Sequence, residues 1–413
     1  MRTRLFNAIW KTLNNSQFFD RVVDNCLKIL LKSCLISLFS GQSFNSLIIT
    51  HLLMKKVIFG LFALSLLLVA CEQESADAPL QETSVDMSDF TLKADLSLES
   101  QDLSRKCHSM QVLERQLKED PGLADRMFLV EQKTREILAS RAPGGNGNGN
   151  GNGNGGGGGD TGGGGDPVDD GLGNINIPVV VHVVYNTANP AENISLAQIQ
   201  SQIDVLNADF RATNSDVSGV PAEFAGVVAD SDINFTLDQV IRVASTRSSW
   251  GTNDAVKFSA NGGSDVVSPS THMNIWVANI GGGILGYAQF PGGSASTDGI
   301  VVAPQFFGDT GYVSAPFDKG RTTTHEVGHY LNLRHIWGDG RCNRDDFVSD
   351  TPKSDRPNYG CPNYPTNHCR SSDMFMNYMD YVDDRCMFMF SEGQKARMRA
   401  LFAAGGARED IYL

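Results

Sequence analysis

The stretch "TTHEVGHYLNLRHIWGD", residues 323–339, sets two histidines four apart, a glutamate beside the first, and a third histidine six beyond the second. Residues four apart on an α-helix share a face, so His325 and His329 can offer their imidazoles to one ion while Glu326 stands beside its remaining coordination position. Three neutral imidazoles leave a zinc ion its full charge and one open position, where water ionises near pH ~7 instead of ~15.7. Glu326, itself no ligand, is then placed to take that water's proton. For His335 to reach the same ion, the chain must leave the helix sharply after Leu331, through one residue in the left-handed conformation. Asn332 stands where that pattern normally has glycine. Asparagine tolerates this region best after glycine, at ~1 kcal/mol, so the substitution costs some stability and no ligand.

A bare histidine pair at this spacing arises by chance; His335 is what gives the pattern its weight. Of the other histidines, His182 lies inside the apolar run "IPVVVHVVY" and reads as a satisfied core residue. His51, His108, His272 and His368 show no ligand spacing.

Downstream, "NYMDYVDDRC" brings Met379 and Tyr381. Alone, Met379 reads as core filling among Met374, Met376, Met387 and Met389. After the histidine motif, it resembles the methionine turn of metzincin metallopeptidases. "HEVGHYLNLRHIWGD", "DDFVSDTP" and "NYMDYVDDRC" together resemble the pappalysin family, from about residue 175 to the C-terminus and back into the segment before it. The resemblance implies a metzincin-like α/β (α+β) fold: a twisted mixed sheet, an active-site helix, and an irregular, disulfide-stapled C-terminal subdomain ending in a helix. It also implies a zinc endopeptidase acting on protein or peptide substrates, with Tyr381 assisting at the carbonyl oxygen and Met379 beneath the metal. Asp384 matches the floor of the pocket on the leaving side, where an acid selects Arg or Lys. Asp346, Asp350 and Thr351 match calcium ligands, although Asp345 replaces a family glycine. A competing expectation is a binding module that keeps the zinc site only as scaffold; intact Glu326 and Tyr381 favour the enzyme.

"MKKVIFGLFALSLLLVAC", residues 54–71, joins two lysines, a short apolar run and a Leu-Val-Ala-Cys box. The apolar run is short for a membrane span, and the whole resembles a bacterial lipoprotein signal with Cys71 as the lipidated first mature residue. Residues 54–70 are thus expected to be the signal peptide, and residues 1–53 read as an over-extended start, the alternative being an amphipathic or membrane-associated N-terminal arm. The expected location is the bacterial cell envelope, lipid-anchored at the outer membrane, with the chain working as a monomer. The chain has 34 Lys and Arg against 47 Asp and Glu, and the basic excess of residues 1–70 makes the remainder more acidic still. Such a balance argues against nucleic acid as partner and suits calcium or basic peptide segments.

Residues 71–143 read as a prosegment, polar and helix-prone, with apolar residues at helical spacing around Pro121 and Gly122. Residues 144–174 form a linker whose Gly- and Asn-rich composition cannot build a core. It lacks the flanking strand, helix and Gly-Lys-Ser/Thr of a phosphate loop. The catalytic domain, residues 175–413, alternates α and β. "IPVVVHVVY", "INFTLDQVI" and "MNIWVAN" read as strands, and "ILGYAQF" as an edge strand open to an extended peptide. Ile199, Ile203, Leu206 and Phe210 mark a helix that Ser195 caps. The active-site helix is expected from about Lys319 to Leu331, and a last helix from Glu392 to about Ala403.

Of eight cysteines, Cys26 and Cys34 precede the signal and Cys71 takes the lipid. Cys342, Cys361, Cys369 and Cys386 allow three disulfide pairings. A zinc knuckle including His368 would lack paired C-x-x-C spacing. The family resemblance favours Cys342 with Cys369 and Cys361 with Cys386. Cys107, in "RKCHSM", is left over. A thiolate there could occupy the zinc position meant for water and hold the enzyme latent. Pappalysin-type zymogens do this with Arg-Cys-Gly, from which Lys106 and His108 depart.

Overall fold

The run around His182 becomes an interior strand of the sheet because nearly every residue in it is apolar and buried from both faces. The computed structural model describes residues 85–98, 107–141 and 170–412. Residues 1–53, the signal peptide with Cys71, and almost all of the Gly-rich linker lie outside them. β1 (Ile175–Asn186) pairs in parallel with β2 (Ile233–Ser245) on one side and β3 (Met273–Val277) on the other. Pro178, which has no N–H, sits one residue before β3 joins at Val179, where only β2 flanks it. β4 (Gly286–Ala288) and β5 (Ile300–Val302) complete the order β2-β1-β3-β5-β4, with β4 antiparallel at the edge. The sheet is therefore mixed, and its edge lies where a peptide can add.

His182 is a core residue. Its ring bonds Ser264 Oγ at 2.7 Å and Asn274 Oδ1 at 2.9 Å and stacks on Trp276.

Helices α1 (Ser109–Glu119) and α2 (Leu123–Arg141) belong to the N-terminal segment and are separated by a turn through Pro121 and Gly122. Met110, Leu113, Leu123 and Met127 of these helices cluster with Phe290, just past β4. α3 (Leu196–Phe210) begins at Ser195, whose side chain accepts the Gln198 N–H, and buries Ile199, Ile203, Leu206 and Phe210. α4 (Arg321–Tyr330) is buried along its whole length. No helix among the described residues is long and apolar enough to cross a membrane.

Beyond α4 the chain is mostly irregular. It contains the two-residue strands β6 (Tyr359–Gly360), β7 (Asn367–His368), β8 (Ser371–Ser372) and β9 (Tyr381–Val382), paired β6-β9 and β7-β8. α5 (Glu392–Ala400) closes the region, started by a capping box between Ser391 and Gln394. Disulfides join Cys342 to Cys369 and Cys361 to Cys386, which excludes a zinc knuckle from these sulfurs.

Candidate metal and active site

α4 ends in the hydrogen-bond pattern of a Schellman turn. Leu333 N–H reaches Gly328 C=O at 2.9 Å and Asn332 N–H reaches His329 C=O at 3.0 Å, with Asn332 at φ 69°. This reversal carries the chain to His335. Each of the three imidazoles is turned by a partner on Nδ1: Tyr378 C=O at 2.7 Å for His325, Leu333 C=O at 2.8 Å for His329, and the Asp339 carboxylate for His335. Those acceptors fix the proton on Nδ1 and leave Nε2 as the ligand atom. Trp337 stacks flat on His335, with ring centres 4.3 Å apart.

His329 Nε2 and His335 Nε2 lie 3.1 Å apart, and the ligand atoms of Cys107, His325, His329 and His335 all fall within 4.8 Å of one another. Zn–N bonds of ~2.1 Å and a Zn–S bond of ~2.3 Å in a tetrahedron ask for ligand separations of about 3.3–3.7 Å. The donor set therefore fits zinc. Burial, with His335 beside it, pushes the His329 imidazole well below its usual range, so it is neutral and ready to ligate.

The N-terminal segment lies along the edge strand at this point. Cys107 bridges Gly286 in parallel, and His108 N–H bonds Gly286 C=O at 3.0 Å. Glu326 Oε2 accepts Ser109 Oγ–H at 2.7 Å and lies 3.6 Å from Cys107 Sγ. Ser109 Oγ in turn accepts Ala288 N–H at 2.8 Å. Tyr381 donates its hydroxyl to Cys107 C=O at 3.4 Å.

Met379 packs under the metal helix. A Cβ added to Gly328 would stand 2.3 Å from Met379 Sδ, so glycine alone admits this approach. Its turn is held by Asn377, whose side-chain amide exchanges two hydrogen bonds with Gln394 of α5, at 2.8 and 3.0 Å. From α3, Asp209 accepts Thr324 Oγ–H at 2.7 Å and Tyr378 O–H at 3.0 Å. It thereby ties the helix to the residue whose carbonyl orients His325.

Asp384 is fully buried before α4, and its Oδ2 accepts the N–H groups of Lys319 at 2.9 Å and Arg321 at 3.2 Å. Asp346 accepts the Thr351 hydroxyl, while Asp350 turns to the start of α5, accepting Ser391 Oγ–H at 2.6 Å and Gly393 N–H at 2.8 Å. Asp346 and Thr351 are thus together, and Asp350 is occupied elsewhere. His272 stands by Asp238 and His368 by Asp373, neither at the metal cluster.

Sequence reasoning missed Asp339, Ser109, Asp209 and Gln394. Asp339 carried a signal, four residues after His335; the others come from distant segments with none.

The family model described as pregnancy-associated plasma protein-A matches residues 263–403. Extracellular metalloprotease 1 of Coccidioides posadasii is 32% identical over 241 residues, 55% of this chain and 77% of that protein. The chain belongs to the pappalysin family. An extracellular metalloprotease of Pyricularia oryzae is likewise 32% identical, over 55% of this chain and 75% of its own length. Among solved structures, a Tannerella forsythia promirolysin variant is similar at 45% identity and TM-score 0.57, covering 58% of this chain and 85% of that one. T. forsythia mature mirolysin in complex with a cleaved peptide gives 46% identity and TM-score 0.57, covering 58% and 96%. This pappalysin-family chain is accordingly a zinc metalloendopeptidase acting on proteins or peptides, with the metzincin-like fold.

Proposed function

We propose that the enzyme is made as a latent precursor, lipid-anchored through Cys71 to the bacterial envelope at the outer membrane. In this reading residues 71–143 are the prosegment, and cleavage near or within residues 144–174 frees the catalytic domain, residues 175–413. The observation that carries it is the convergence of Cys107 Sγ with the three imidazoles, while the same segment engages Glu326 and Tyr381. A thiolate ligand takes the position water needs, and the Ser109 hydroxyl occupies an oxygen of the base. The relatives named above are extracellular metalloproteases, which supports export.

His325, His329 and His335 would hold the zinc, which when bound brings water's ionisation toward neutral pH and polarises the scissile carbonyl. Glu326 takes the proton of the attacking water and returns it to the leaving amine. Tyr381 donates to the carbonyl oxygen as charge gathers there, the role for which its bond to the Cys107 carbonyl is the resting counterpart. The β4 edge supplies main-chain partners to an extended peptide, as Gly286 C=O does for His108 N–H. In the same reading Asp384 forms the floor of the pocket on the leaving side and favours Arg or Lys there. Calcium belongs to the same reading, held first by Asp346 and Thr351, with Asp350 joining them only by leaving Ser391 and Gly393. Burial pushes the Asp346 carboxyl well above the usual range, and a cation would restore its charge.

The test is zinc-dependent cleavage of a denatured protein. The precursor should be silent, limited proteolysis should activate it, Cys107→Ala should act without cleavage, and Glu326→Ala should be silent in every form. A Cys107→Ala precursor as silent as the parent, while its proteolysed product cuts, would leave the thiol without a role in latency.

A further inference from the structure

On α5, Arg397 is 2% exposed, and its guanidinium meets Glu131 of α2, itself 3% exposed, through two parallel bonds: Nη1 to Oε1 at 3.1 Å and Nη2 to Oε2 at 2.8 Å. Among the described residues, Glu131 is the one carboxylate paired with Arg397. The remaining surroundings come from the metal-binding half of the chain. Arg397 lies 3.4 Å from Phe347 C=O and 3.5 Å from the carbonyl of Asn332, the left-handed residue that ends the metal helix. The guanidinium groups of Arg397 and Arg334 stand 5.6 and 5.4 Å from the centre of the Phe347 ring. Arg334, also buried, donates to Thr91 C=O of the N-terminal segment at 2.9 Å. From that segment too, Arg135 reaches Glu131 Oε1 at 2.8 Å and lies 5.0 Å from the same ring.

Two buried arginines on one side of the contact therefore each take an acceptor from the other side, Arg397 its paired carboxylate and Arg334 a backbone carbonyl. A desolvated guanidinium stripped of its counter-charge is unfavourable, and its planar fork selects a carboxylate over a spherical anion. We propose that Arg397, with Arg334 and Phe347, is a carboxylate-recognition pocket of the catalytic domain: it seats Glu131 in the precursor and opens to a carboxylate from solution when that side chain is withdrawn. This pocket is separate from the thiol at the metal, and it grips the prosegment at a second point, against the Asn332 turn. Burial works against an ionised Glu131, yet Arg397 and Arg135 bring its carboxyl down to about 2, so the seated group is a carboxylate at any physiological pH. The inference rests on reading the N-terminal segment as a prosegment only for its regulatory meaning; the pocket itself is tested without reference to activity.

The experiment empties the pocket in the full chain and refills it. In Glu131→Ala, the thermal midpoint should fall by on the order of 10 °C. Propionate or acetate at ~100 mM should recover at least half of that loss, with sodium chloride at the same ionic strength recovering none. Adding Arg397→Met to Glu131→Ala should abolish the carboxylate response. Equal recovery by chloride and propionate, or a response that survives Arg397→Met, overturns the pocket. If Glu131→Ala does not yield folded protein, Glu131→Gln replaces it: a midpoint equal to the parent's would equally overturn the proposal. A latency result that contradicts the role of Cys107 leaves these midpoints untouched, so failure of the two readings is separable.

Discussion

Asn332 offers the sharpest perturbation of the metal site, because its backbone must stay left-handed whatever its side chain is. At φ 69° it closes the Schellman turn that carries His335 to the other two imidazoles, and its side-chain amide nitrogen is buried with no acceptor among the described residues. Glycine at this position relieves about 1 kcal/mol of left-handed strain and removes a buried donor worth about 1–3 kcal/mol unsatisfied. Against this stand about 0.5–1 kcal/mol of chain entropy and some lost packing. We expect Asn332→Gly to gain about 1 kcal/mol, a rise of about 2–4 °C in thermal midpoint. Valine is branched at Cβ, which left-handed backbone tolerates far less than asparagine's single γ-carbon, at about 2–3 kcal/mol beyond asparagine. If metal-free protein escapes that strain by opening the turn, the difference appears in zinc affinity, a weakening of roughly 30-fold or more. The assays are thermal unfolding with and without zinc, and zinc titration against a competing chromophoric chelator. Parent-like zinc affinity in Asn332→Val, or a loss as large in Asn332→Gly, refutes the account of the turn.

Gly328→Ala, which in an ordinary helix gains about 1 kcal/mol, should here lose about 2–3 kcal/mol because the new methyl meets Met379 Sδ. A double-mutant cycle with Met379→Ala should return most of that loss, and simple additivity would show that the contact is not the cause. Glu131 has its carboxyl depressed to about 2 by Arg397 and Arg135 against the opposing effect of burial. Its pairing therefore contributes stability that is complete above about pH 4.5 and lost as pH falls toward 2, about 3 kcal/mol in all at about 1.4 kcal/mol per unit. The midpoint of the full chain should fall more steeply between pH 5 and 3 than that of Glu131→Gln; parallel curves would contradict it. Cys71→Ser should leave membranes for the soluble fraction, since acyl chains are what would hold the protein there. Unchanged membrane fractionation in this variant would end the lipoprotein reading.

The local elements were readable where a physical period was strong. The buried run of β1, the stripe Ile199, Ile203, Leu206 and Phe210 with its Ser195 cap, and the edge position of "ILGYAQF" all follow from burial pattern and capping chemistry. β5 escaped notice because three residues, Ile300–Val302, are too few to show any period. They are a strand only because β3 and β4 flank them.

The same division runs through the site. Helical spacing alone puts His325 and His329 on one face, and the chemistry of imidazole makes zinc the metal of choice. Asparagine's tolerance of left-handed backbone, a property of one residue, settles that the turn toward His335 can form. What holds those rings in place was decided elsewhere in the chain: the Tyr378 carbonyl, Asp209 beneath Thr324, and Gln394 gripping Asn377. The Ser109 hydroxyl on Glu326 and the Glu131 carboxylate on Arg397 belong to the same class, each joining residues more than two hundred positions apart. A sequence states spacing along the chain, and spacing fixes geometry only within a helix, a strand or a turn. Contacts across such separations carry no local period, so only the packed tertiary structure could bring them together.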